Sequence, residues 1–183
     1  MSRYDKLLEL IKVFQPATIA ETGTWKGTNA VRMLKATGLE KPHYIGFDLF
    51  EEATPETDHA EFNIKPHNRI VDVEKFIKEH CPLAEISLVK GNTRQTLRPL
   101  IVDFAFIDGG HSLETIAHDY ECLKGSSVVV FDDYYTPDSE GKMPDISIVG
   151  CNKLLEGIPH AVIPSTDQVK TGGIVSLAVV FGG

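Results

Sequence analysis

Cysteine is scarce in this chain of 183 residues: three, at positions 81, 122 and 151, odd in number and far apart. No Cys-x-x-Cys pair stands among them, which excludes a disulfide framework and a thiolate zinc site. Three unpaired structural thiols suit a reducing compartment. Positive charge is the minority sign, 18 Lys and Arg against 26 Asp and Glu, for a net charge of −8. Without a basic run or a Lys/Arg-rich face, a nucleic-acid partner is not expected. No apolar stretch approaches the roughly 18 residues of a membrane span, and the first residues carry no apolar signal region. A cytoplasmic protein with no membrane partner is expected. Internal repeats and low-complexity segments are missing too. What is present is a 42% hydrophobic chain, long enough for one sizeable core and short for two. A single domain over 1–183 is expected.

Two apolar runs that end abruptly in carboxylates organise the chain: Phe104-Ala-Phe-Ile-Asp-Gly-Gly-His111 and Val128-Val-Val-Phe-Asp-Asp-Tyr-Tyr135. Short apolar runs bounded by turn signals read as strands buried on both faces. Between them Leu113, Ile116, Ala117 and Tyr120 follow the spacing of one helix face. Strand, helix, strand implies a crossover between parallel neighbours, which sets Asp108, Asp132 and Asp133 together at the carboxyl edge of a sheet. Any one of these acids could serve as a helix cap or turn residue. Three at adjacent strand ends repel one another unless something positive lies among them, and a hard divalent cation, Mg²⁺ before Ca²⁺ or Mn²⁺, is the simplest answer.

The remaining signals fall in the order of an α/β fold. Ser2 and Asp5 resemble a capping box, and Leu7, Ile11 and Phe14 share a face, so a leading helix over 1–15 is expected before Pro16. A strand over 17–21 runs into Glu21-Thr-Gly-Thr-Trp-Lys-Gly27 and a helix capped by Thr28. A glycine-punctuated turn between strand and helix can hold a nucleotide-type ligand, Gly23 admitting its approach and Gly27 close helix packing; it can also be a tight turn that binds nothing. The dinucleotide spacing G-x-G-x-x-G is absent, which disfavours NAD. Asp48, at the tip of a strand over 43–47 and followed by Leu49, is placed to accept hydrogen bonds from ribose hydroxyls. Gly91-Asn92-Thr93, after a strand over 85–89, either flanks an adenine or caps a helix. Residues 51–70, polar and aperiodic, read as a lid loop in which His59 and His67 are solvated. Helices are expected over 72–80 and 146–156, an active-site loop over 134–145, and final strands over 160–163 and 174–181, joined through 164–173.

Four of these motifs in register resemble a class I S-adenosylmethionine-dependent methyltransferase, and within that class the macrocin O-methyltransferase-like group, relatives of the metal-dependent catechol-type enzymes. They are Glu21–Gly27, Phe47-Asp-Leu-Phe-Glu51, Ile107-Asp-Gly-Gly-His111 and Phe131-Asp-Asp-Tyr134. The resemblance implies a Rossmann-like, mostly parallel seven-stranded sheet with a terminal antiparallel hairpin and helices on both faces. It implies S-adenosyl-L-methionine as cofactor, with Glu21 and Gly23 by its methionine part and Asp48 by its ribose. Thr24, Trp25, Gly27 and Leu49 join the cofactor-facing set from the first two turns, as do Gly91, Asn92, Thr93, Asp108 and Gly109 from the later ones. Mg²⁺ or another hard divalent cation would lie on Asp108, Asp132 and Asp133. One departure stands out. Some members place an aspartate base two positions after the first metal ligand, here Gly110, while others use a histidine three positions after it, here His111.

His111 is therefore the expected base, accepting the proton of a substrate hydroxyl; its competing role is a helix cap or a hydrogen-bond partner for an Asp. Trp25 and Tyr134 either wall the pocket or pack. The acceptor is expected to be a small hydroxylated molecule, sugar-like or a diol. Two rivals are a metal-independent methyltransferase and a non-catalytic S-adenosylmethionine- or nucleotide-binding module. Nothing in the sequence requires or forbids a homodimer.

Overall fold

The computed structural model describes residues 1–63, 65–146 and 149–182. The elements run α1 (Arg3–Phe14), β1 (Thr18–Thr22), α2 (Thr28–Ala36), β2 (His43–Asp48), α3 (Pro55–Ala60), α4 (Ile70–His80), β3 (Glu85–Lys90), α5 (Thr93–Thr96), β4 (Phe104–Ile107), α6 (Leu113–Leu123), β5 (Val128–Thr136), α7 (Gly150–Leu155), β6 (Ala161–Gln168) and β7 (Ile174–Phe181). The strands form one seven-stranded sheet in the order β3-β2-β1-β4-β5-β7-β6. Strands β1 to β5 pair in parallel, and β7 runs antiparallel to both β5 and β6. This is the expected doubly wound sheet with a terminal hairpin. Among the described residues no helix is long and apolar enough to cross a membrane.

The period of two along each central strand builds a core on either side of the sheet. Phe104, Phe106, Val128, Val130, Leu177 and Val179 face one cluster, completed by Leu7 and Ile11 of α1, by α2 and by α4. Ala105, Ile107, Val129, Phe131, Ala178 and Val180 face the other, with Ile116 and Leu123 of α6 and Leu155 of α7. Phe104–Ile107 and Val128–Phe131 are apolar throughout because both of their faces are covered.

Several boundaries differ from the sequence reading, each for a local reason. The 51–70 segment is not all loop: a 3-10 turn spans Phe50–Glu52, and α3 forms where Thr54 and Thr57 make a reciprocal capping box with Pro55 in the first turn. Helix α2 is capped by Gly27 in the left-handed region, not by Thr28, because Gly27 is pressed against Ile77 of α4. Strand β5 does not stop at its acids. It continues to Thr136 beside β7, so the expected 134–145 loop begins three residues late. Strand β6 likewise extends over the first half of the expected connection. The helix expected over 146–156 is described from Gly150 on; positions 147 and 148 lie outside the described residues.

The sheet's carboxyl edge is drawn tight by one glycine. Gly23 has φ 89°, and a Cβ there would sit 2.0 Å from the Asp108 carbonyl oxygen. The turn after β1 thus rests directly on the turn after β4, a contact no side chain permits. Gly23→Ala is expected to cost more than the roughly 1 kcal/mol of an ordinary strained substitution, read as a fall in the urea midpoint. An unchanged midpoint would show that the two turns separate freely.

Candidate active site

A cleft of about 790 Å³ opens along this edge. Its walls come from Gly23 and Trp25 after β1, Asp48 and Leu49 after β2, Gly91, Asn92 and Thr93 after β3, and Asp108, Gly109 and His111 after β4. Nine of the expected cofactor-facing residues are thereby brought to one space. Asp48 shapes it: its Oδ2 accepts from the Trp25 amide at 2.6 Å and its Oδ1 from the Phe50 amide at 2.8 Å. Each oxygen keeps a lone pair for a further donor. Asn92 does cap α5, its side chain accepting from the Arg94 amide at 2.9 Å, while still lining the cleft.

Glu21, Thr24 and Gly27 lie behind this wall, buried and outside the cleft lining. Glu21 is fully buried; its Oε2 accepts from the Tyr44 hydroxyl, which also meets Thr24 Oγ1 at 3.0 Å. Its Oε1 has no partner among the described residues. Burial pushes this carboxyl up to about 8, against the pull of the Tyr44 hydrogen bond and with the help of the nearby Asp48 charge. Tyr134 packs against His160, ring centres 5.1 Å apart, and does not line the cleft.

The segment between β2 and α4 covers the cleft and is clasped at both rims. On one side the Trp25 indole donates to the Pro66 carbonyl at 2.8 Å, with Lys26 and Lys65 against the ring. On the other, the Glu61 carboxylate accepts from the Ser112 amide at 2.9 Å, Ser112 Oγ at 3.0 Å and Thr115 Oγ1 at 2.6 Å. It fills the space a side chain on Gly110 would need. An anion at the first turn of α6 is stabilised by the free amides there. His67 is not a solvated loop residue as expected: Nε2 lies 2.7 Å from Asp58 Oδ1, and both residues line the cleft. His59 is exposed, as expected.

The three acids meet. Ile107 pairs with Phe131, so Asp108 and Asp132 leave adjacent strands side by side. In a regular strand Asp133 would then point to the opposite face. A bulge between Phe131 and Tyr134, with Asp133 at φ 54°, turns it back, and one oxygen from each acid lies within 4.8 Å of the others. The cluster has a cation that no sequence motif marks. Arg3 of α1 donates from Nε to Asp132 Oδ1 at 2.6 Å and from Nη1 to Asp167 Oδ2 at 3.0 Å, and its Nη2 lies 4.0 Å from Asp133 Oδ1. Tyr4 donates to Asp132 Oδ2 at 3.1 Å and reaches Asp108 Oδ2 at 3.4 Å. Burial and the charges of Asp132 and Asp133 still hold the Asp108 carboxyl well above the usual range. Asp132 is raised too, by burial and by Asp133, although Arg3 opposes the shift. One guanidinium leaves this negative charge only partly compensated.

His111 sits between two acceptors. Nδ1 is 2.8 Å from the Glu61 carbonyl oxygen and Nε2 is 2.8 Å from Asp133 Oδ2. Both nitrogens donate at once only in the imidazolium form, which an ionised Asp133 favours. The hydrogen bond to Asp133 raises the histidine above its ordinary value, against burial. Burial pushes Asp133 up, but His111 and Arg3 together hold it below the carboxylate range.

Geometry of this kind has relatives. The family model of a methyltransferase domain matches residues 20–134, from β1 through the acids of β5. The chain belongs to the methyltransferase domain family. Solved structures share the fold of this methyltransferase over nearly its whole length. The O-methyltransferase TomG of Streptomyces achromogenes, involved in tomaymycin synthesis and solved with S-adenosylmethionine, is 16% identical over 98% of this chain and 79% of its own, with a TM-score of 0.60. An O-methyltransferase from Bacillus cereus with S-adenosylhomocysteine is 16% identical over 98% and 80%, TM-score 0.60. An rRNA methylase from Streptococcus thermophilus is 11% identical over 100% and 97%, TM-score 0.63. At such identities the likeness is one of fold, and it bears out the resemblance to class I methyltransferases. No curated protein matches the methyltransferase.

The buried Glu21 gives a pH test with a definite sign. Its folded value of about 8 lies above its unfolded value of 4.5, so the protonated form's contribution is whole below pH 4.5 and lost as pH rises through 8. By pH 7 the loss is on the order of 3 kcal/mol. Glu21→Gln should flatten the fall in unfolding free energy between pH 5 and 8, measured by chemical denaturation. A variant that keeps the wild-type slope would show that Glu21 is ionised throughout.

Proposed function

We propose that the protein is an S-adenosylmethionine-dependent O-methyltransferase of a small hydroxylated acceptor, sugar-like or a diol, that works with Mg²⁺ or another hard divalent cation. The observation that carries this reading is the meeting of Asp108, Asp132 and Asp133 beside His111 at one end of the cleft. Three carboxylates are the donor set such an ion takes, and their spread of 4.8 Å is close to the roughly 4.2 Å that bonds of about 2.1 Å allow. The undercompensated charge on Asp108 and Asp132 favours a further cation. The donor set fits.

Asp48, with an open lone pair on each carboxylate oxygen, suits the ribose hydroxyls, and residues 91–93 suit the adenine end. S-adenosylmethionine supplies a methyl group already activated on sulfur, so the protein's task is to align a nucleophile and manage one proton. A divalent ion on the three acids supplies Lewis acidity that lowers the pKa of a bound hydroxyl. His111 takes the proton at Nε2 once that nitrogen has released its own, while Nδ1–H stays on the Glu61 carbonyl and fixes the tautomer. The lid, clasped at Trp25 and Glu61, keeps water from the reacting groups. A chain with net charge −8 and this narrow covered cleft suits a small molecule over nucleic acid. Three free thiols accord with a cytoplasmic setting.

A metal-independent transfer is the second reading, and Arg3 favours it, since a guanidinium already lies on Asp132. Methyl transfer to vicinal diols, with and without chelator, separates the two. With the ion required, chelator and Asp132→Asn both abolish turnover, and His111→Ala lowers kcat by about 10²–10⁴-fold. The wild-type rate should rise with pH through an inflection above 6.5, the ordinary histidine value, because Asp133 raises His111. Chelator-resistant turnover would remove the ion. Cofactor binding without turnover on any acceptor would leave a binding module.

A further inference from the structure

Helix α1 delivers a charged side chain onto one of the acids the proposed ion would bind. Both oxygens of Asp132 are engaged, Oδ1 by Arg3 Nε at 2.6 Å and Oδ2 by the Tyr4 hydroxyl at 3.1 Å. The guanidinium also stacks on the Tyr4 ring, 4.5 Å from its centre, so the two side chains enter as a unit. A divalent ion among the three acids must bond an Asp132 oxygen, and it would repel a guanidinium held on the same carboxylate. Ion and Arg3 therefore compete for Asp132, each weakening the other's hold on it. Arg3 has somewhere to go: Asp167 of β6 accepts from Nη1 at 3.0 Å and from the Arg3 amide at 3.1 Å. Further along the helix, Leu7 and Ile11 are buried in the core, so a change at Arg3 does not require α1 to leave the sheet.

On the reading that the acid cluster takes a divalent cation, we propose that Arg3 is the cluster's built-in occupant and sets the cation's affinity by competing for Asp132. Entry of the ion swings the guanidinium from Asp132 onto Asp167 and withdraws the Tyr4 hydroxyl. Exit of the ion reverses both, so the cluster is never left without a positive partner. The first turn of α1 is thereby tied to the occupancy of a site more than a hundred residues away in the chain.

The test is direct binding of Mn²⁺ to the full chain by calorimetry, independent of turnover. Arg3→Met keeps an apolar stem and removes the charge. It should bind Mn²⁺ about tenfold more tightly, the gain expected if the Arg3-engaged form outnumbers the open form by about ten to one. Lys6→Met, which removes one positive charge from the same helix at a residue paired with Glu9, should leave the affinity unchanged. In the wild-type chain the Arg3 Nε–H signal, followed by ¹⁵N NMR, should lose its protection from solvent exchange as Mg²⁺ is added. Equal affinity in wild type and Arg3→Met overturns the competition and leaves the cation site standing, as does an equal gain in Lys6→Met. Absence of binding in both wild type and Arg3→Met overturns the cation site itself. Should Arg3→Met fail to fold, the Nε–H signal decides: a signal unchanged in Mg²⁺-saturated protein overturns the proposal.

Discussion

Mutual repulsion among carboxylates just past β4 and midway along β5 is the constraint to which the rest of this molecule answers. Each acid follows an apolar run buried on both faces of the sheet, where charge is poorly solvated and repulsion is strong. Arg3 reaches them from the first turn of α1, Tyr4 supplies a hydroxyl, and His111 lies 2.8 Å from Asp133. Helix, strand ends and the lid that fixes His111 are thus held around one concentration of negative charge.

The sequence made the sheet and its edge legible because those features are local. Runs of apolar residues over 104–107 and 128–131 end where acids begin, and glycines 23 and 27 punctuate the first turn. What stayed hidden is non-local or subtle. Arg3 meets Asp132 across 129 positions and Asp167 across 164, with no periodicity or motif to mark either pairing. Glu61 is one acid among several in a polar stretch, and only the bare position at Gly110 hints that something else fills that space. Helix α3 is too short for a hydrophobic stripe and is announced only by Thr54, Pro55 and Thr57. Glu21 lies inward against Tyr44, a pairing 23 positions apart that no motif marks, and the turn after it lines the cleft.

The lid links the two ends of the site. Its Trp25 clasp sits over the turn held by Asp48, and its Glu61 clasp holds the first turn of α6 and the His111 ring. Glu61 acts through two different groups: the carboxylate binds the lid to the helix, and the main-chain carbonyl fixes which histidine nitrogen keeps its hydrogen. Cover over the Asp48 end of the cleft and orientation of the His111 ring at the other are therefore held by one segment.

Asp133 carries a constraint that reaches beyond chemistry. Its backbone sits at φ 54°, a region that glycine enters freely and that asparagine and aspartate enter more readily than other side chains. Of those three, only aspartate and asparagine bring an oxygen to the cluster. Drift at this position is thus confined by chain geometry to an acid–amide alternation, whatever acceptor a descendant of this enzyme comes to use.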